Sequence, residues 1–277
     1  MTVELSFLSQ YRHPFLLFDE LPDAYTEHPF APFALTDAFI KEAGETAQPI
    51  LHFWQTSPLI ILGMMDTKLP YLSDALPSFS RHGYPYIVRN SGGLAVVGDK
   101  GVLNFSMIFP EEDERLPIDD AYARMHHVIQ AAFASFGKSI EAYEIKDSYC
   151  PGDFDLSIAG RKIAGISQRR IRGGIAIMIY LSVSGDQHTR AQMVREFYDK
   201  GLKGTKTKWN FPAVDPNVMT TLEEAFDTPM TIDDAKRLLL AAFEPVSLQK
   251  GELSSTIRGS YSEGFEKMTV RNDKLLP

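Results

Sequence analysis

The chain has 277 residues, 44% of them hydrophobic, enough to bury a full core as one large domain or two small ones. Its net charge of −8 argues against nucleic acid as a partner, because phosphate binding needs a basic surface. A single cysteine excludes an intramolecular disulfide and fits a reducing, cytoplasmic setting. The first residues show no basic stretch followed by a long apolar one, as a secretory signal would. The longest apolar run, 59–65, is interrupted by Gly63 and falls far short of the roughly 20 residues that cross a bilayer, so no membrane partner is expected.

Helical and strand-like patterns alternate along the chain in the manner of an α+β protein. A helix is expected at 36–43, followed by strands at 50–54, 59–62, 86–89, 94–97 and 102–109. The clearest helix follows: Ile118, Tyr122, Met125, Ile129, Ala132, Phe133 and Phe136 recur at steps of three and four, with Asp119 and Asp120 in the first turn. Strands are then expected at 155–158, 161–168 and 175–183. In the last, Ile175, Ile177, Ile179, Leu181 and Val183 alternate with Ala176, Met178, Tyr180 and Ser182. Ala159-Gly160 turns a hairpin and places Lys162 near the start of the return strand. Further helices are expected at 189–198 and 231–243, and the three helices at 36, 189 and 231 each begin near a Thr suited to capping. Repeats and Pro-rich linkers are absent, which favours a single domain over 1–277. From 249 the pattern weakens, and 249–277 is expected as a loosely organised helix or partly disordered tail.

Two segments carry candidate chemistry. In Arg89-Asn90-Ser91-Gly92-Gly93-Leu94-Ala95 the paired glycines let the backbone approach a ligand and offer amides to an oxyanion or carbonyl; a tight turn between strands is the alternative. Cys150 lies in Asp147-Ser148-Tyr149-Cys150-Pro151-Gly152-Asp153, a turn-rich loop where a reactive thiol can be reached. An inert, buried cysteine is the competing reading. A nearby ammonium favours the thiolate, and Lys162, brought back by the hairpin, could supply it and handle the proton of a departing or incoming amine. Arg161, Lys162, Arg169, Arg170 and Arg172 crowd beside this segment, a basic patch suited to an acidic protein partner. Lys200, Lys203, Lys206 and Lys208 read as a solvated face. The seven histidines and one cysteine show no metal-ligand spacing, and no Walker loop or dinucleotide fingerprint appears, so neither metal nor cofactor is expected.

Arg89-Asn90-Ser91-Gly92-Gly93-Leu94-Ala95-Val96, Gly101-Val102-Leu103-Asn104-Phe105-Ser106 and Gly160-Arg161-Lys162-Ile163-Ala164-Gly165-Ile166-Ser167-Gln168 together resemble, in order and spacing over 30–245, the superfamily of lipoate-protein ligases, octanoyltransferases and biotin protein ligases. The resemblance implies an α+β fold on a mixed or antiparallel sheet flanked by helices, with residues 30–245 as catalytic core. It places an acyl pocket around Arg89, Ser91, Gly92, Gly93, Ala95 and Gly165, with Lys162 as the reactive-site lysine. Leu94, Gly98 and Phe154 depart from the ligase pattern and speak against adenylate binding. Ser148-Tyr149-Cys150-Pro151-Gly152 and Ser167-Gln168-Arg169-Arg170 are similar to the cysteine-dependent amidotransferases of Gram-positive bacteria. That likeness implies a Cys150 thioester that carries an octanoyl or lipoyl group from glycine cleavage H protein to lipoyl domains of 2-oxoacid dehydrogenase E2 subunits. Three alternatives remain: transfer from acyl carrier protein, an ATP-dependent lipoate ligase, and a non-catalytic binder of carrier domains.

Overall fold

The computed structural model describes residues 5–111 and 115–276; 1–4, 112–114 and 277, which the 1–277 and 249–277 assignments include, lie outside the described residues. Among the described residues eleven strands are formed: β1 (Phe15–Phe18), β2 (Ile50–Trp54), β3 (Leu59–Leu62), β4 (Tyr86–Val88), β5 (Val96–Gly98), β6 (Val102–Pro110), β7 (Glu141–Ala142), β8 (Leu156–Ile158), β9 (Arg161–Ile171), β10 (Gly174–Ser182) and β11 (Leu248–Lys250). The helices are α1 (Ala31–Thr46), α2 (Leu72–Ala75), α3 (Pro77–Arg81), α4 (Ile118–Ala132), α5 (Gln187–Leu202), α6 (Leu222–Phe226), α7 (Ile232–Ala241) and α8 (Ser255–Leu275).

A large mixed sheet runs β11-β1-β2-β6-β10-β9-β8-β7, and a small one runs β4-β3-β5. The alternation of β10 places its two faces in different cores. Ile175, Ile177, Ile179 and Leu181 pack with Met125, Val128 and Ile129 of α4, while Ala176 and Met178 meet Leu35 and Phe39 of α1. Both faces of the sheet are therefore covered, and the polar residues on the α1 side, Asn104 and Ser106 of β6 among them, are buried because of position rather than composition. A third core gathers the small sheet with α3 and α5. The α+β architecture with a mixed sheet flanked by helices is the one expected.

Thr231 does cap α7, in a reciprocal capping box with Asp234. Thr36 instead lies inside α1, its hydroxyl donating to the Pro32 carbonyl at 2.8 Å, and α5 is capped by Asp186, which accepts from the Thr189 amide at 2.8 Å.

Of the two readings of 249–277 the helix is the one formed, and it is packed rather than loose: α8 has 21 residues, is capped by Ser254 and lies along α1. Its buried stripe is Ile257, Gly264, Met268 and Asn272, too sparse and too polar for an apolar periodicity to reveal. Gly264 belongs there because a Cβ would stand 3.2 Å from the Ala34 Cα.

The expected basic patch is largely paired: Arg169 meets Asp37, Arg170 meets Glu111, Arg161 meets Glu224 and Lys162 meets Asp155, so four of its five charges face acids, three of them from distant segments.

Candidate active site

Lys162 owes its placement to an irregularity. β8 and β9 pair Ser157 with Lys162 but Leu156 with Ala164, so Ile163 is an extra residue in the ladder. In a regular strand Lys162 and Gly165 would face opposite sides. The bulge puts both on one face: a Cβ on Gly165 would lie 3.7 Å from the Lys162 Nζ, while Ile163 and Ala164 enter the core on the other side.

The lysine side chain, 1% exposed, is fully engaged. Its Nζ lies 2.8 Å from Asp155 Oδ1 and donates to Ser148 Oγ at 3.2 Å, to the Tyr149 carbonyl at 3.0 Å and to the Cys150 carbonyl at 2.8 Å. Asp155 Oδ2 accepts from the amides of Ile145 and Gly152, both at 3.2 Å, so one buried ion pair clamps the cysteine loop from both ends. Burial holds the Asp155 carboxyl above its ordinary value, against the opposing pull of the Lys162 ammonium.

Within this clamp Cys150 has φ of 47°, in the left-handed region that a residue with a Cβ rarely adopts. Its sulfur is bonded from the glycine loop. Sγ accepts from the Leu94 amide at 3.4 Å and from Arg89 Nη2 at 3.7 Å, whereas Lys162 bonds the cysteine's carbonyl. These bonds are those of a thiol held by the glycine loop and of a lysine that holds the cysteine's backbone.

Arg89 organises that loop. Its guanidinium donates to the Gly92 carbonyl at 2.7 Å and 3.1 Å and to the Leu94 carbonyl at 3.2 Å. Gly93, at φ 92°, leaves the space the guanidinium needs, since a Cβ there would stand 2.4 Å from Nη2; Gly92 faces open space. Gly63 must also lack a side chain, because a Cβ would come within 1.9 Å of the Gly93 carbonyl oxygen. Behind the loop the Gly63 amide donates to Asp66, Tyr198 donates to the same carboxylate, and the Ala95 amide donates to the Tyr198 hydroxyl. Burial raises the Asp66 pKa to about 7.

A cavity of about 320 Å³ joins these parts, at the small end of the roughly 300–1,000 Å³ typical of ligand sites. Cys150, Lys162, Arg89, Ser91, Gly92, Gly93 and Gly165 all line it. Ala95 does not: it is wholly buried, and its role is the bond to Tyr198. Phe33, Trp54, Ile61, Val96, Met178 and Ile179 give much of the wall an apolar character. Among the described residues no group of three or more His, Cys, Asp or Glu could hold a metal. Sequence reasoning placed Asp155 in a strand and in a segment of family likeness but gave it no role as the counter-ion of Lys162, and it missed the Asp66–Tyr198 pair, whose members lie 132 residues apart.

The mixed sheet that carries this cavity has the lipoate protein ligase fold. The chain superposes on lipoate-protein ligase A bound with ATP with a TM-score of 0.69 at 17% identity, covering 92% of this chain and 94% of that one. It superposes on a chain from the bipartite lipoate protein ligase and its E2 lipoyl domain from Thermoplasma acidophilum with a TM-score of 0.64 at 18% identity, covering 96% and 97%. At these identities the likeness is one of fold. The chain belongs to the lipoyl protein ligase A/B catalytic domain family, whose model matches residues 28–244. Among its relatives, a Macrococcus caseolyticus protein named octanoyl-[GcvH]:protein N-octanoyltransferase is 42% identical over 258 residues, 91% of this chain and 94% of that protein. A Listeria monocytogenes protein named lipoyl-[GcvH]:protein N-lipoyltransferase is 39% identical over 247 residues, 88% and 89% of the two chains.

Proposed function

We propose that the protein is a cysteine-dependent acyltransferase that moves an octanoyl or lipoyl group from a lysine amide of glycine cleavage H protein to a lysine of E2 lipoyl domains. The observation that carries this reading is the Cys150 thiol, set in a left-handed loop at a partly apolar cavity and contacted by two donors, Arg89 and the Leu94 amide. Relatives about 40% identical over most of the chain, named for octanoyl transfer from GcvH, support the donor and the acyl group.

In the first half-reaction the Cys150 sulfur, as thiolate, attacks the carbonyl carbon of the acyl-lysine amide. The C–S bond forms and the C–N bond breaks. The departing amine gains a proton, for which the buried Lys162 ammonium is the source. In the second half a neutral amine of the acceptor attacks the thioester carbon; C–N forms, C–S breaks, and the proton lost by that amine returns to Lys162. Arg89, Ser91, Gly92, Gly93 and Gly165 bound the space for the acyl group, and the apolar wall receives its tail. Neither ATP nor a metal enters these steps.

The test is intact-protein mass spectrometry after mixing the protein with octanoylated H protein without ATP, beside the Cys150→Ala variant. An octanoyl adduct on the unaltered protein alone, released by hydroxylamine, is the expected result. An adduct only from octanoyl-acyl carrier protein would reassign the donor. Acyl transfer that needs ATP and survives Cys150→Ala would overturn the thioester.

A further inference from the structure

Val88 is the last residue of β4, an outer strand of the small sheet, and Arg89 follows it directly. The strand pairs with β3 on one side; on the other, its backbone edge is met by a side chain from α8. Asn272 of α8, 6% exposed, accepts from the Val88 amide at 2.7 Å and donates to the Val88 carbonyl at 3.1 Å, so its carboxamide takes the place of a neighbouring strand's peptide group. The same Nδ2 donates to the Met268 carbonyl at 2.9 Å, fixing the amide to its own helix. One residue earlier, Arg271 reaches the Arg89 carbonyl at 3.5 Å.

From these observations we infer that Asn272 is a positioning residue for the nucleophile, acting through Val88 and Arg89 on the Cys150 sulfur, and that α8 is a working part of the site. The path is short and continuous. Asn272 sets the backbone of Val88; the next residue is Arg89, whose guanidinium bonds the carbonyls of Gly92 and Leu94 and the sulfur itself. The same helix holds the opposite wall, for it crosses α1 at Gly264 and Ala34, and α1 supplies Phe33 and Thr36 to the cavity. A buried asparagine is a poor choice for helix stability alone. Its paired bonds to Val88 give the reason for it. α8 lies beyond residues 28–244, the segment that matches the family model.

The inference rests on the reading of Cys150 as nucleophile, and its test separates the two. In the full-length protein, Asn272→Leu and Arg271→Ala are compared with Val270→Ala, at an exposed position of the same helix. Two rates are followed: adduct formation from octanoylated H protein as donor concentration varies, and alkylation of Cys150 by iodoacetamide. Displacing catalytic groups by a fraction of an ångström to 1 Å costs about 10- to 100-fold, so Asn272→Leu should lower the maximal acylation rate to that extent. The half-saturating donor concentration and the Val270→Ala rates should stay unchanged, and alkylation should slow in parallel. A folded Asn272→Leu protein with unaltered maximal rate and alkylation, or with only the half-saturating concentration changed, would overturn the inference. If that variant does not fold, Arg271→Ala decides: slowed alkylation supports the inference and an unchanged rate refutes it. Absence of any adduct on the unaltered protein would refute the transfer reaction, while the alkylation rates would still decide the positioning.

Discussion

At the scale of single residues the site separates two tasks that one might assign to a single pair. The thiol is handled by Arg89 and the Leu94 amide, while Lys162 is committed to Asp155 and to the carbonyls of Tyr149 and Cys150. Removing one member of a buried ion pair leaves the other charge stranded, at a cost of roughly 3–5 kcal/mol. Lys162→Met is therefore expected to lose both activity and stability. Lys162→Met combined with Asp155→Leu should recover part of the stability and none of the activity. Chemical denaturation and adduct formation on the same samples check this; a double variant no more stable than Lys162→Met would show that the pair is not the source of the loss.

At the scale of elements, the glycine loop and the bulge in β9 are the devices that build the cavity. Gly92 and Gly93 are adjacent and chemically identical, yet the fold uses them differently. Gly93→Ala introduces a side chain at φ 92° and against the Arg89 guanidinium, a strain of about 1–3 kcal/mol, and should slow Cys150 acylation by displacing Arg89. Gly92→Ala meets open space and should change stability by less than about 0.5 kcal/mol. Thermal melts of the two variants test the contrast. Equal melting temperatures would mean that the loop accommodates the Gly93 side chain by moving.

At the scale of the whole molecule, two buried titratable groups shape the response of stability to pH, with opposite signs. Burial lowers the His52 pKa to about 3, and its Nδ1 has no hydrogen-bond partner. Between the unfolded value of about 6.5 and that folded value, the unfolded chain binds a proton the folded one refuses, so this contribution is lost as pH falls. Asp66 titrates near 7 when folded, so the folded state holds the extra proton between about 4 and 7, and its contribution is lost as pH rises through that window. His52→Phe, packed against Phe39, should reduce the loss of stability on going from pH 6.5 to 4.5. Asp66→Asn should reduce the loss on going from pH 4.5 to 7.5. Denaturant midpoints across this range check both, and an unaltered slope in either variant would remove that residue from the account.

The sequence by itself determined whatever depends on neighbours along the chain. The alternation of β10 and the apolar spacing of α4 are local periodicities, and the Ala159-Gly160 turn, at φ 50° and 75°, follows from local backbone preference. The glycine loop, Cys150 and Lys162 were legible as motifs for the same reason. Tertiary structure decided whatever depends on a distant partner or on register. A shift of register turned Lys162 towards the cavity and onto Asp155, and acids from other elements paired with Arg161, Arg169 and Arg170. The tail became a helix because Gly264 and Asn272 find Ala34 and Val88, more than 180 residues away in the second case. Short-range pattern records which face of an element is apolar. It carries no record of which polar group, many residues away, will meet a buried donor or charge, and it is those pairings that shape the cavity.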